Sequence, residues 1–117
     1  MSMEQPRKMK IQQTELHSTG IKFFINKEGK EVARGYLYLI RNDLHSQPYG
    51  LMEDVFVDEE LRGQGYGTKI IKAIMEEAKK RGCYKLLGTS RYGRENVHQL
   101  YEKLGFKDRG KEFRIDF

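Results

Sequence analysis

Residues 51–82 read LMEDVFVDEELRGQGYGTKIIKAIMEEAKKRG, and three kinds of chain follow one another in them. LMEDVFVD, over 51–58, is a short apolar-rich run of the kind that forms a buried strand. The turn after it, Arg62-Gly63-Gln64-Gly65-Tyr66-Gly67, is rich in glycine. From Thr68 the period changes. Ile70, Ile71, Ile74, Met75 and Ala78 fall on one helical stripe, and Lys69, Lys72, Glu76, Glu77, Lys79 and Lys80 fill the other face. Lys79, Lys80 and Arg81 suit the negative end of the helix dipole, and Gly82 can take the left-handed conformation that ends a helix.

A strand, a glycine turn and a helix in this order make an anion site. The first N–H groups of a helix lack carbonyl partners and sit at the positive end of its dipole. Glycines let the backbone curl around ligand oxygens where a side chain would stand in the way. Arg62 adds a donor for a charge-assisted contact. The spacing fits neither the dinucleotide fingerprint nor the phosphate loop, because no Gly-Lys-Ser/Thr closes it and no acidic residue ends a second parallel strand. Spacing alone leaves a plain flexible turn as the other reading.

Upstream, residues 8–17 (KMKIQQTELH) alternate loosely and IKFFIN (21–26) is strand-like, so the two predict a hairpin across Ser18-Thr19-Gly20. The turn Asn26-Lys27-Glu28-Gly29 leads into EVARGYLYLIRN (31–42), a third strand with Gly35 as a bulge position. After the loop at Ser46-Gln47-Pro48, residues 51–58 make the fourth. Downstream, YKLLGTS (84–90) is a fifth strand. A second helix is expected from Glu95 to Leu104, with Val97, Leu100, Tyr101 and Leu104 on one stripe and Gly105 as its stop. FKDRGKEFRIDF (106–117) reads as a closing hairpin. The order β-β-β-β-α-β-α-β-β predicts an α/β fold: a single mixed, mostly antiparallel sheet with two main helices, in one domain over 1–117.

A chain of 117 residues has room for one core and one active site, and 38% hydrophobic with 33% charged residues suits a globular protein. No apolar run approaches the roughly 20 residues that span a bilayer, and MSMEQPRKMK has no apolar stretch that could act as a secretory signal, so a cytoplasmic setting without a membrane partner is expected. Cys83 is the only cysteine, which precludes an internal disulfide, and no ligand companion at metal spacing accompanies it. A net charge of +5 favours an anionic partner. Basic runs such as Lys79-Lys80-Arg81 are too short to make nucleic acid the better choice over a phosphorylated cofactor.

Two motifs in order carry a family resemblance. Arg62, Gly65 and Gly67 meet the pattern Gln/Arg-x-x-Gly-x-Gly/Ala, and NVHQLYEKLGF (96–106) supplies an aromatic-bearing helix running into Leu104-Gly105-Phe106. On these the chain resembles the GNAT superfamily of N-acetyltransferases, strongly over residues 50–106 and in topology elsewhere. The resemblance implies acetyl-CoA as acetyl donor and a primary amine as acceptor, joined in a ternary complex. It also implies a fourth strand that splays from the fifth to admit the pantetheine arm. Val55, Phe56 and Val57 would then contact the cofactor through their backbone, residues 63–68 (Gly63, Gln64, Gly65, Tyr66, Gly67, Thr68) would cradle its pyrophosphate, and Arg62, Lys69, Lys72 and Arg94 would meet phosphate charge. Relatives usually carry Asn where this chain has Arg94, and Asn96 is the nearby alternative. They also place two helices between their first two strands, where only Ser18-Thr19-Gly20 is expected here. An open acceptor side follows, suited to a bulky or peptide amine, or completed by a second subunit in a homodimer.

An amine with a pKa of about 10.4 is protonated at neutral pH, so a base has to remove a proton before nitrogen attacks the thioester. By the resemblance Glu53 is that base, with a solvated strand carboxylate as its plain alternative; strand alternation turns Asp54 to the other side. Tyr101 takes the family's tyrosine position as donor to the leaving thiolate, though its stripe with Val97 and Leu104 also suits simple core packing. His98 reads as a helix-surface histidine, and Cys83 as packing, since no base accompanies it. A coenzyme-binding module without turnover and a basic nucleic-acid-binding domain stand as rival readings.

Overall fold

The structure, a computed structural model, describes residues 9–117. Its elements are β1 (Thr19–Lys27), β2 (Lys30–Ile40), β3 (Tyr49–Val57), α1 (Tyr66–Lys80), β4 (Leu86–Gly88) and α2 (Glu95–Lys103), with a single 3-10 turn at Glu59–Leu61. The four strands form one sheet in the order β1-β2-β3-β4; the first two junctions are antiparallel and β3–β4 is parallel. The α/β class and the two helices agree with the sequence reading.

Local chemistry sets most boundaries. β1 and β2 are joined through Glu28 and Gly29, whose φ values of 53° and 77° make the two-residue turn that matches strand twist. α1 begins at Tyr66 because Gly65, at φ 91°, ends the preceding turn in the left-handed region. It stops where the Gly82 N–H donates to the Lys79 carbonyl at 3.0 Å and the Cys83 N–H to the Ala78 carbonyl at 3.0 Å, with Gly82 at φ 79°. The same double closure ends α2: Gly105 N–H donates to Glu102 at 3.0 Å and Phe106 N–H to Tyr101 at 2.9 Å.

The core lies between α1 and one face of the sheet. Ala33, Leu37 and Leu39 of β2 and Met52 of β3 meet Ile70, Ile71, Ile74 and Ala78 of α1, all buried. Each such isoleucine is worth about 1.5–3 kcal/mol. Gly35 admits the helix at closest approach, where Ile70 and Ile74 occupy the space a side chain would need. On the opposite face Phe24, Tyr36, Tyr38 and Phe56 have no helix over them among the described residues, and Phe24, Tyr38 and Phe56 are exposed. No helix of the described residues is long and apolar enough to cross a membrane.

Two expectations are corrected. Lys8 lies outside the described residues, and residues 9–17 form no strand. Their apolar side chains Met9, Ile11 and Leu16 are exposed and keep no strict period of two, so the segment has no apolar face to hold it on the outer edge of β1, which pairs only with β2. β1, β2 and β3 thus stand where the second, third and fourth strands were expected, and the described residues ahead of β1 form no helix either. The closing hairpin over 106–117 is also unformed, and residues 107–117 are all exposed. A strand needs a neighbour for its backbone groups, and this segment has none beside it within the chain.

Candidate active site

Pairing between β3 and β4 covers only Gly50↔Leu86, Leu51↔Leu87 and Met52↔Gly88. From Glu53 to Val57 the outer edge of β3 has no strand beside it among the described residues. At the same level the β2–β3 pairing carries a bulge: Tyr36 pairs with Glu53 and Arg34 with Phe56, so Gly35 alone opposes Asp54 and Val55. Asp54 takes the extra place at φ 50°, a left-handed conformation that Asp tolerates better than most residues. The insertion resets the faces. Met52 points to α1 and Glu53 away from it, yet Val55 points to α1 again, its Cγ2 3.4 Å from where a Cβ on Gly35 would stand. Strict alternation, assumed for Asp54 from the sequence, therefore ends at Glu53. A polar cleft of about 340 Å³, lined by Arg34, Tyr36, Asp54, Val55 and Phe56, opens at the bulge. The sequence offered only a faint sign of it, two adjacent carboxylates inside an apolar run.

β3 leads directly into the glycine turn. Gly63 and Gly65 have φ values of 79° and 91°, and nothing lies within 4 Å of where their side chains would be. Conformation, not crowding, requires glycine there. No side chain caps α1 and no acidic residue stands in its first turn, so the N–H groups of Tyr66, Gly67 and Thr68 have no intrahelical acceptor and no competing carboxylate. Gly67 brings the helix start to 3.6 Å from Val57 Cγ2, measured from a Cβ position. Arg62 is partly committed: its Nε donates to the Val57 carbonyl at 3.1 Å and its guanidinium lies 5.7 Å from the Phe56 ring. The Gln64 side-chain amide donates to the Glu60 carbonyl at 3.3 Å, folding the turn on itself. Tyr66 packs its ring against the core; Lys69 and Lys72 are exposed.

Glu53 is half-buried, one residue past the last β3–β4 pair. Tyr101 of α2 is also half-buried, with its ring 3.7 Å from a Cβ position on Gly88, which itself faces Met52. The two therefore approach the end of the β3–β4 pairing from opposite faces. Burial pushes the Tyr101 phenol up from its ordinary value, and Arg94 pulls weakly the other way. Phe106, folded back by Gly105 at φ 102°, packs against the Tyr101 ring with the centroids 5.3 Å apart and the planes tilted by 34°.

Arg94 is the residue before α2 and Asn96 lies in its first turn, both exposed, beside a cleft of about 280 Å³ lined by Gly93, Arg94, Glu95, Asn96 and Val97. His98 has a structural partner, its Nε2 2.9 Å from the Arg91 carbonyl. Burial raises the Cys83 thiol, in keeping with a packing role. Ser90, just past β4, was missed by sequence reasoning: its buried Oγ has no partner among the described residues.

The model of the Acetyltransferase (GNAT) family matches residues 2–106. The chain belongs to the GNAT family. Among the relatives of this GNAT chain, a probable glucosamine 6-phosphate N-acetyltransferase 2 of Oryza sativa subsp. japonica is 33% identical over 91 residues, covering 77% of this chain and 53% of that protein. A thialysine N-epsilon-acetyltransferase of Bos taurus is 40% identical over 57 residues, 49% of this chain and 34% of the relative. The chain thus spans about half or less of the curated relatives it matches. Among solved structures, a putative acetyltransferase from Agrobacterium tumefaciens str. C58 superposes with a TM-score of 0.78 at 30% identity, covering 84% of this GNAT chain and 69% of that one.

Proposed function

We propose that the chain is an N-acetyltransferase domain over 1–117 that passes an acetyl group from acetyl-CoA to a primary amine bound in the same complex. One observation carries this reading: the β3 edge left open past Met52↔Gly88 runs straight into a glycine turn and an uncapped helix start. An extended arm ending in a diphosphate has the shape and charge to use both, and parallel strands commonly bind ligands beyond their carboxyl ends. Val55, Phe56 and Val57 would hold the arm along the open edge. Residues 63–68 would hold the diphosphate on backbone N–H groups, with the free side of Arg62, Lys69, Lys72, Arg94 and Asn96 nearby. When bound, the coenzyme supplies a thioester activated for attack by nitrogen.

The residues of this chain divide the remaining work. Glu53 accepts a proton from the ammonium form of the acceptor, directly or through one water, because an amine of pKa about 10.4 is otherwise unreactive at neutral pH. Tyr101, a phenol that burial raises from its ordinary value, donates a hydrogen bond to the sulfur as negative charge builds there. Backbone N–H groups near Val55 polarise the carbonyl to be attacked. Acid and base on opposite faces suit an acceptor and a leaving group that lie on opposite sides of the slot. Relatives are named for glucosamine 6-phosphate, thialysine and aminoglycosides, so small amines are the first acceptors to test. The uncovered sheet face also accommodates a bulkier or peptide amine, or a second subunit. The single cysteine fits a reducing, cytoplasmic setting.

Thermal unfolding with and without acetyl-CoA, followed by an amine screen that detects free thiol, tests the proposal. Ligand at a hundred times its dissociation constant adds about 2.7 kcal/mol of stability. Absence of any shift overturns the coenzyme site. A shift without thiol release for any amine leaves a binding module and overturns the transferase.

A further inference from the structure

The sheet face turned away from α1 carries an arginine whose charge has no settled partner. Arg34 and Tyr36 alternate along β2 with Ala33, Gly35 and Leu37, which are buried toward the helix, so both side chains stand on the uncovered face. Glu53 lies opposite Tyr36 and Phe56 opposite Arg34 on β3, while Lys22 of β1 lies opposite Tyr36 on the other side. The Arg34 guanidinium rests 4.6 Å from the centroid of the Phe56 ring. Its carboxylate neighbour among the described residues is Glu31, with Nη1 to Oε2 at 3.7 Å, too long for a hydrogen bond. Glu31 is already held by Lys22 at 2.5 Å, so one carboxylate serves two cations.

The same arginine is the one cation lining the cleft of about 340 Å³ at the bulge. Asp54 is the one carboxylate there, and no ion pair joins the two among the described residues. Arg34 is also the diagonal neighbour of Glu53 across the β2–β3 pair, which sets their Cβ atoms about 7–8 Å apart with the Tyr36 ring between them. A planar fork of N–H donors, steered by an aromatic face and short of an acceptor, matches a group with two anionic oxygens. A positively charged group in that place would meet both Arg34 and Lys22.

The geometry points to an acceptor that is anionic at its far end: a primary amine whose nitrogen lies at Glu53 and whose carboxylate or phosphate, about 7 Å away, is bound by Arg34. The ligand crosses the Tyr36 ring between the two. Arg34 is then the residue that selects among amines, and long cationic amines are disfavoured. This rests on the transferase reading in one respect, the position of the amine at Glu53.

Equilibrium binding tests it, with thiol release from acetyl-CoA read separately. The probes are two matched pairs, ε-aminocaproate with its amide and aminobutyl phosphate with aminobutanol, titrated by calorimetry into the full chain alone and with coenzyme A. Each anionic member is expected to bind about tenfold more tightly than its neutral-ended partner, and to lose that margin as salt rises. Arg34→Met, which keeps a long apolar stem beside Phe56, is expected to erase the margin with an unchanged circular dichroism spectrum, and Arg34→Lys to keep only part of it. Glu31→Gln releases both cations from their shared carboxylate and is expected to widen the margin, which a merely structural Arg34 would not do. Equal binding within the pairs, no binding of any of the four amines, or a margin that survives Arg34→Met overturns the inference. Thiol release that is equal for the acid and the amide also overturns it and leaves the transferase standing. A margin abolished by Arg34→Met but without thiol release upholds the anion site and overturns the transferase instead.

Discussion

A Cβ on Gly35 would stand 2.7 Å from Cγ2 of Ile70, closer than real contacts allow, so β2 and α1 meet at this residue with no room for a methyl group. Gly35 also sits opposite the β3 bulge, so the helix that carries the glycine turn and the strand that carries Glu53 are packed at one point. Gly35→Ala is therefore expected to cost about 1–3 kcal/mol by overpacking, lowering the thermal midpoint by several degrees. Denaturant melts of the two proteins check it; equal midpoints would mean the helix yields freely.

Gly65 tests the anion cradle separately from stability. At φ 91° an alanine is strained by about 1–2 kcal/mol, and nothing crowds the site, so the turn can relax by moving its N–H groups. Gly65→Ala is expected to weaken coenzyme binding about tenfold or more, read by calorimetry, since 1.4 kcal/mol is a factor of ten. Unchanged affinity would remove the cradle from the binding site.

Tyr101→Phe and Glu53→Gln address the chemistry. Each is expected to lower kcat by about a hundredfold while coenzyme affinity holds, because acid or base assistance is worth 10² or more. Burial raises the Tyr101 phenol, so its unfolded form, near 10.0, loses its proton first. The stabilising preference is complete below pH 10 and is lost as pH rises through the higher folded value. The wild type should therefore lose stability in strong base more steeply than Tyr101→Phe, as urea midpoints at pH 8 and above pH 10 would reveal.

The bulge is open to the same kind of test. Asp54→Gly exchanges relief of left-handed strain, about 1–2 kcal/mol, against glycine's entropic cost of about 0.5–1 kcal/mol, and is expected to be near neutral in stability and activity. Asp54→Val, with a branched side chain at φ 50°, is expected to cost more and to close the slot. Loss of coenzyme binding by Val but not Gly would tie the open β3 edge to this one residue.

Residues 51–82 and 95–106 were legible because their information is local. Helical spacing from Ile70 to Ala78, glycines at Gly63, Gly65, Gly82 and Gly105, and the capping positions around them act over a few residues, and the structure uses each of them. The bulge was half legible: Gly35 was marked, but the extra residue is Asp54 on the facing strand, and which strand takes it depends on a register no single strand specifies. Strand partners were the least legible. Residues 8–17 and 106–117 have strand-like composition, but a strand exists only where a neighbour accepts its hydrogen bonds. Periodicity along the chain therefore determined the helices, the turns and the family motifs. Which edges met, where β3 parted from β4 and which face stayed uncovered were decided by the tertiary structure, because those are relations between segments far apart in sequence.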